Sequence, residues 1–416
     1  MSRKLTPSNA PWLHDRQVQV LLAALTEGGE EARIAGGAVR DALLGRSGGD
    51  IDIATTNLPA ETMRRAKAAG FRTVPTGIDH GTITVLVDGQ PIEVTTLRAD
   101  VETDGRHAVV RFGRDWQSDA ERRDFTVNGL YATAEGEIVD LVGGVADLSS
   151  RTIRFIGEAG KRIEEDYLRI LRFFRFFAWF GTGRPDAQGL IACTRLKGGL
   201  ARLSVERVWS ELRKLLSAPD PSRALLWARQ ASVLTTVLPE TEKWGIDSIH
   251  GLVVAERERG WTRDPMLRLQ AIVPRDPVRL KAMADRLRMS NAETDRLVAF
   301  ALAPEIASSL GEAELLRLIY WGNRQAIIDR LRLAVAACPV REEAEILAGL
   351  LKRAEDWSRP DFPVGGTELA AIGVTPGPQM GALLKRLERE WVDSGFGLAR
   401  PELVERAKTL AGETND

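Results

Sequence analysis

A change of hydrophobic period near residue 160 limits what this chain can fold into more than any other feature. Up to about Ile156, short alternating runs such as Thr82–Val87 and Ile92–Leu97 are interleaved with helical segments such as Pro59–Ala69. Alternation marks a strand with one buried face, and 3.6-residue spacing marks an amphipathic helix. From Arg162 onward the alternation disappears. Arg162–Phe180, Val205–Ser217, Arg223–Val233, Leu280–Met289, Glu312–Tyr320 and Gln379–Asp393 all read as helices. The fold class is therefore α+β: an N-terminal head with a small mixed β-sheet and helices, then an all-α remainder. At 416 residues the chain exceeds what one core supports. We divide it into a head (1–156), a helical neck (157–240), a helical body (241–358) and a tail (359–416) opened by the Pro/Gly-rich stretch Pro360–Gly366.

No uncharged apolar run is long enough to span a bilayer, and no apolar segment follows Arg3-Lys4 as a secretory signal requires. Cys193 and Cys338 are too isolated to suggest a zinc site or a disulfide framework. These features point to the cytoplasm, with no membrane partner. The net charge of −1 argues at first against nucleic acid, but residues 151–240 carry 16 Lys and Arg against 9 Asp and Glu. A basic centre in a neutral chain suits local contact with phosphates, although solvated helix faces give a similar excess.

Asp50-Ile51-Asp52-Ile53 carries the most chemical information. On a strand, Asp50 and Asp52 share one face, about 7 Å apart, while the isoleucines face the core. Such a pair can hold two magnesium ions across a phosphate; alone, it also suits a surface strand with solvated acids. Just upstream, Gly36-Gly37 opens a helix that carries Arg40, and such a turn lets a backbone approach an anion closely. Glu93, between Ile92 and Val94, is a third carboxylate that either faces the aspartates or is merely exposed.

Together these segments resemble the class II tRNA nucleotidyltransferases and bacterial poly(A) polymerases. Gly36–Asp41 with Asp50–Asp52 is similar to the first motif of that family, and Arg122–Asn128 to the second. Asp140–Gly144 with Asp147-Leu148 resembles the third motif, Glu165–Phe176 the fourth, and Ser204–Arg207 with Glu211 the fifth. The resemblance implies that Asp50 and Asp52 bind two Mg2+ ions; Glu93 stands as a third catalytic candidate on its strand position alone. The resemblance assigns Gly36, Gly37, Arg40, Arg123, Asp124, Asp166, Arg169, Arg172 and Arg175 to the nucleotide. Asp124 would accept from the ribose 2′-OH. Asp166 and Arg169 would read the base from one face of a helix. Ideal helix geometry sets Arg175 roughly opposite Asp166, so we expect it to brace, and Arg172 to hold Asp166 or Arg169. Arg207 and Glu211 read as scaffolding, and Phe173, Phe174, Phe176 and Phe177 as core.

The implied activity is addition of C, C and A to the 3′ end of tRNA from CTP and ATP. Partial addition of CC or A, poly(A) synthesis and a catalytically idle tRNA-binding protein remain open, and a small-molecule nucleotidyltransferase shares only the metal strand. By the resemblance, Val101–Trp116 is a flexible stretch that helps switch from C to A. Gly129 stands where the family usually has alanine, and we expect it to loosen a helix. With no histidine beyond His250, a His/Asp phosphohydrolase domain is absent. The glycine-rich tail loop before Gln379 resembles a segment that binds the tRNA elbow, and it suits a helix cap equally well.

Overall fold

Nine short strands lie among the described residues of the first half of the chain, and their pairing decides which carboxylates meet. They are β1 (Ala32–Ala35), β2 (Asp52–Thr55), β3 (Arg72–Gly77), β4 (Thr82–Val87), β5 (Gln90–Thr96), β6 (Arg98–Asp104), β7 (His107–Phe112), β8 (Leu130–Ala132) and β9 (Ile138–Asp140). The structure is a computed structural model that describes residues 4–46, 50–104, 107–242 and 246–413. Seven strands form one sheet in the order β3-β4-β5-β2-β1-β8-β9, and β6 pairs with β7 as a separate ribbon. Within the sheet, β2 and β5 run parallel and the other neighbours are antiparallel. Alternation works as the sequence dictates. Ile83, Val85, Val87, Ile92 and Val94 are buried, while Glu93 faces the other side.

Two compact units divide the chain, Met1–Glu242 and Lys243–Asp416. The first holds the sheet and the helices that follow it, including Leu168–Phe180, whose buried face comprises Leu168, Ile170, Leu171 and the phenylalanines Phe173, Phe174, Phe176, Phe177 and Phe180. The second unit is all-helical among the described residues, with a core around Leu315, Leu331, Leu387, Leu403 and Ala407. Inside it, the fully buried Arg268 donates to Glu256 at 2.6 Å, and Arg296 bridges Asp264 and Asp329 at 2.5 and 2.8 Å. Pairs of this kind add little net stability but penalise any packing that separates them.

Four local expectations need correction. Arg162–Phe180 is not one helix: Ala159–Glu165 ends, Asp166 is extended (φ −154°, ψ 107°), and Leu168–Phe180 begins anew. The cause is the Asp166 side chain, which accepts the Leu168 N–H at 3.1 Å and so offers the backbone an alternative to continuing the helix. Arg223–Val233 likewise divides, into Ser222–Gln230 and Val233–Val237, with Ser232 left-handed at φ 56° between them. The described backbone of Val101–Trp116 includes strand residues of the β6–β7 ribbon and the start of the Trp116–Glu121 helix, which leaves its expected part in switching from C to A a proposal. Asp50 precedes β2 and does not lie on it. The sequence reading also passed over β3, β6, β7 and β8, three of them too polar or too short to show a period.

Gly129 is not in an α-helix. It follows the 3-10 turn Thr126–Asn128, where an added Cβ would stand 2.6 Å from Val142 Cγ2. The residue thus serves close packing between the second and third motifs. Gly129→Ala should destabilise the protein by about 1–3 kcal/mol through overpacking. Combining it with Val142→Ala should recover most of that loss in urea melts; a silent Gly129→Ala would refute the close contact.

Candidate active site

The floor of the site is set by the parallel register of β2 and β5, which places Asp52 directly beside Glu93. Asp52 keeps access to solvent, yet desolvation, then the like charge of Glu93, push its carboxyl up to about 6, against the pull of Arg123. Asp50 adds to the repulsion from just before the strand. A cation is what such a grouping lacks, and hard oxygen donors suit a divalent metal. Among the described residues no three acidic, His or Cys side chains converge into a ready coordination sphere. The structure therefore brings Asp52 and Glu93 together without gathering Asp50 into a three-ligand cluster.

Above this floor, Gly36 caps the Gly37–Leu43 helix at φ 65°, a conformation that favours glycine. Its Cβ would lie 3.1 Å from Arg123 Nη1, so the bare backbone also makes room for that guanidinium. Arg40 does not reach into the same space. It is buried, donates to Asn128 Oδ1 at 2.6 Å and to Asp41 at 3.0 Å, and packs 4.1 Å from the Phe180 ring.

Asp124 is a buried junction. Oδ1 accepts from the Phe125 N–H at 2.9 Å and Asn128 Nδ2 at 2.8 Å; Oδ2 accepts from Arg172 Nε at 2.7 Å and Nη2 at 2.5 Å. Burial opposes the charge, but Arg172 and these hydrogen bonds hold the carboxyl below the usual carboxylate range. Four donors fill its lone pairs. A ribose hydroxyl would find an acceptor here only if one Arg172 bond turned aside. Arg172 thus holds Asp124, not the Asp166 or Arg169 that the sequence suggested. Arg175 pairs with the buried Glu211 at 2.6 Å, with Arg172 4.0 Å from the same carboxylate, which fits a bracing role.

Asp166 and Arg169 flank the start of the Leu168–Phe180 helix and do not pair with each other. Asp166 Oδ2 accepts from Arg207 Nη2 at 2.6 Å, and Arg169 donates to Glu165 and to the Arg162 carbonyl at 2.8 Å. Asp52, Gly36, Gly37, Arg123, Asp124, Asp166, Arg169, Arg172 and Arg207 nevertheless all line one cavity of about 470 Å³. An acceptor and a donor at the head of a helix thus share a space with the carboxylate floor. Phe173, Phe174, Phe176 and Phe177 are buried behind them.

Comparison with known proteins identifies the family to which this chain belongs. Residues 32–154 match the model of the poly A polymerase head domain, and 186–244 match that of a probable RNA and SrmB-binding site of polymerase A. The mitochondrial CCA tRNA nucleotidyltransferase 1 of Mus musculus is 36% identical over 387 residues, covering 91% of this chain and 86% of the relative. The chain belongs to the CCA-adding tRNA nucleotidyltransferase family. The CCA-adding enzyme of Leuconostoc citreum is 31% identical, covering 95% of this chain and 96% of the relative. Among solved structures, the Bacillus stearothermophilus CCA-adding enzyme in complex with CTP superposes with a TM-score of 0.75 at 25% identity, covering 96% of this chain and 99% of that one.

Within this family site, sequence reasoning missed Asp119, Asn128, Tyr131 and the pairing roles of Glu165 and Arg207. Asn128 lay inside a quoted motif, and the contacts of Glu165 and Arg207 depend on the break at Asp166. Because the folded pKa of Asp52 is raised to about 6, its cost to stability is absent only well below the usual carboxylate pKa of about 4, grows as pH rises from there to 6, and is complete above that. At pH 7.5 without divalent metal, Asp52→Asn should therefore stabilise the fold by roughly 1 kcal/mol after discounting for solvent screening. It should also remove most of the melting-temperature gain that MgCl2 gives the wild type. A variant melting at or below wild type in EDTA would contradict the like-charge floor.

Proposed function

We propose that this chain adds C, C and A in turn to the 3′ end of tRNA from CTP and ATP, without a nucleic-acid template. The observation that carries this reading is the single cavity shared by Asp52, the Gly36-Gly37 turn, Asp166 and Arg169. Cytosine and adenine each present an amino donor beside a ring-nitrogen acceptor. A carboxylate beside a guanidinium complements both, whereas uracil and guanine present the reverse order. Base choice can then come from protein side chains. The family relationship supports the same activity, and a neighbour of like fold, at 20% identity, is a Thermotoga maritima CCA-adding enzyme complexed with tRNA.

The tRNA 3′ oxygen forms a bond to the α-phosphorus as the bond to the bridging oxygen breaks, releasing pyrophosphate. The family generally uses divalent metals. Two Mg2+ ions, held by Asp50 and Asp52 beside Glu93, would neutralise phosphate charge and acidify the attacking hydroxyl. The protein groups do the rest. Arg123 faces the polyphosphate, the Gly36-Gly37 turn lets it approach the backbone, and Asp166 and Arg169 orient the base. Arg207 fixes the Asp166 carboxylate, and Asp124 ties the base-reading helix to the head through Arg172. The neck, body and tail boundaries given above are part of this reading, with the tail contacting the tRNA elbow. As for compartment, we favour the cytoplasm; the curated relatives include mitochondrial as well as bacterial proteins.

A tRNA transcript lacking its terminal CCA tests the proposal directly. CTP alone should add two nucleotides, ATP alone essentially none, and both together three. Stopping at CC would indicate a partial enzyme, long A tracts a poly(A) polymerase, and no product an idle binder.

A further inference from the structure

Asp119 lies outside every motif discussed above, yet it is one of the most enclosed charges in the first unit, with 1% of its surface exposed. It sits on the short Trp116–Glu121 helix and serves two arginines at once. Oδ1 accepts from Arg122 Nε at 2.9 Å and Nη2 at 2.6 Å; Oδ2 accepts from Arg123 Nη2 at 3.3 Å and from the Tyr131 hydroxyl at 2.7 Å. Both arginines line the cavity described above.

Two adjacent guanidiniums repel each other, and each has several staggered conformations to choose from. One shared carboxylate offsets half of that charge and removes the choice, leaving a net positive charge aimed at the cavity. The carboxylate is itself held. Tyr131 is fully buried, and it meets the Trp116 ring edge-on at 5.1 Å, so the hydroxyl that orients Asp119 is locked to the same helix. Arg123 also lies over the Tyr131 ring at 5.0 Å, and its Nη1 donates to the Asn128 carbonyl at 3.3 Å. Each Nη carries a second N–H, so the guanidinium keeps donor capacity for an anion in the cavity that it lines.

We propose that Asp119 is a positioning residue for the triphosphate, aiming Arg122 and Arg123 at the polyphosphate while leaving base choice to Asp166 and Arg169. This rests on the nucleotidyl-transfer reading above. The ligand chemistry is that of a polyphosphate, so inorganic pyrophosphate, the product, serves as a probe that carries no base.

The test compares wild type, Asp119→Asn and Tyr131→Phe on the tRNA transcript lacking CCA. For Asp119→Asn, KM for CTP and for ATP should rise about tenfold, the usual scale for a lost charge-assisted hydrogen bond. Inhibition by pyrophosphate should weaken by the same factor, kcat should stay within about threefold, and preference for C and A in a four-nucleotide competition should be unchanged. Tyr131→Phe should move KM and pyrophosphate inhibition together in the same direction by about threefold. If Asp119→Asn fails to fold, Tyr131→Phe decides the matter alone. Unchanged KM and pyrophosphate inhibition, or a lost preference for C and A, would overturn the assignment while an active wild type keeps the functional reading. A wild type that incorporates nothing would overturn both.

Discussion

The buried carboxylate of Asp124 is the contact on which the site depends. It joins the turn of the second motif to the Leu168–Phe180 helix through Arg172, and Asn128 carries the connection on to Arg40 beneath the Gly36-Gly37 turn. Removing one partner of such a pair leaves an uncompensated buried charge, at a cost of about 3–5 kcal/mol. The Leu168–Phe180 helix is thereby tied to the second-motif turn beside the acidic floor. Glu211, on the Val205–Leu216 helix, continues the line by accepting from Arg175 of the Leu168–Phe180 helix.

Around this junction the charges are arranged in opposed sets. The floor concentrates negative charge at Asp52 and Glu93, which favours cations. The walls present Arg122, Arg123 and Arg169, which favour phosphate and a base acceptor. Each wall arginine is held by a carboxylate, Asp119 shared by the first two and Glu165 for the third, so positive charge is left facing the cavity. The family relationship gives this arrangement its meaning, since a nucleoside triphosphate with its metal presents both signs of charge to the protein.

Much of the fold was legible because burial enforces period. Thr82–Val87 was read with its true bounds, and the change to helical spacing placed all strands before Ile156, the last of them ending at Asp140. What escaped was polar or local. β3 has little buried face, and β8 is three residues long. The break at Asp166 depends on a side chain competing with the backbone, which apolar spacing does not register. At the site, residue types pointed to the right groups but not to their partners. The pattern alone suggested that Arg172 supports Asp166 or Arg169 and that Arg40 meets phosphate. The structure gives Arg172 to Asp124 and turns Arg40 inward to Asn128, because both contacts join residues distant in sequence.

The most direct test of this account is a double-mutant cycle between Asp124→Asn and Arg172→Gln, read by urea denaturation. If the junction holds helix and head together, the pair should show a coupling energy of about 2 kcal/mol or more, within the range found for contacting charged residues. Destabilisations that simply add to within about 0.5 kcal/mol would mean that the two residues act independently and that the helix is positioned by its apolar face alone.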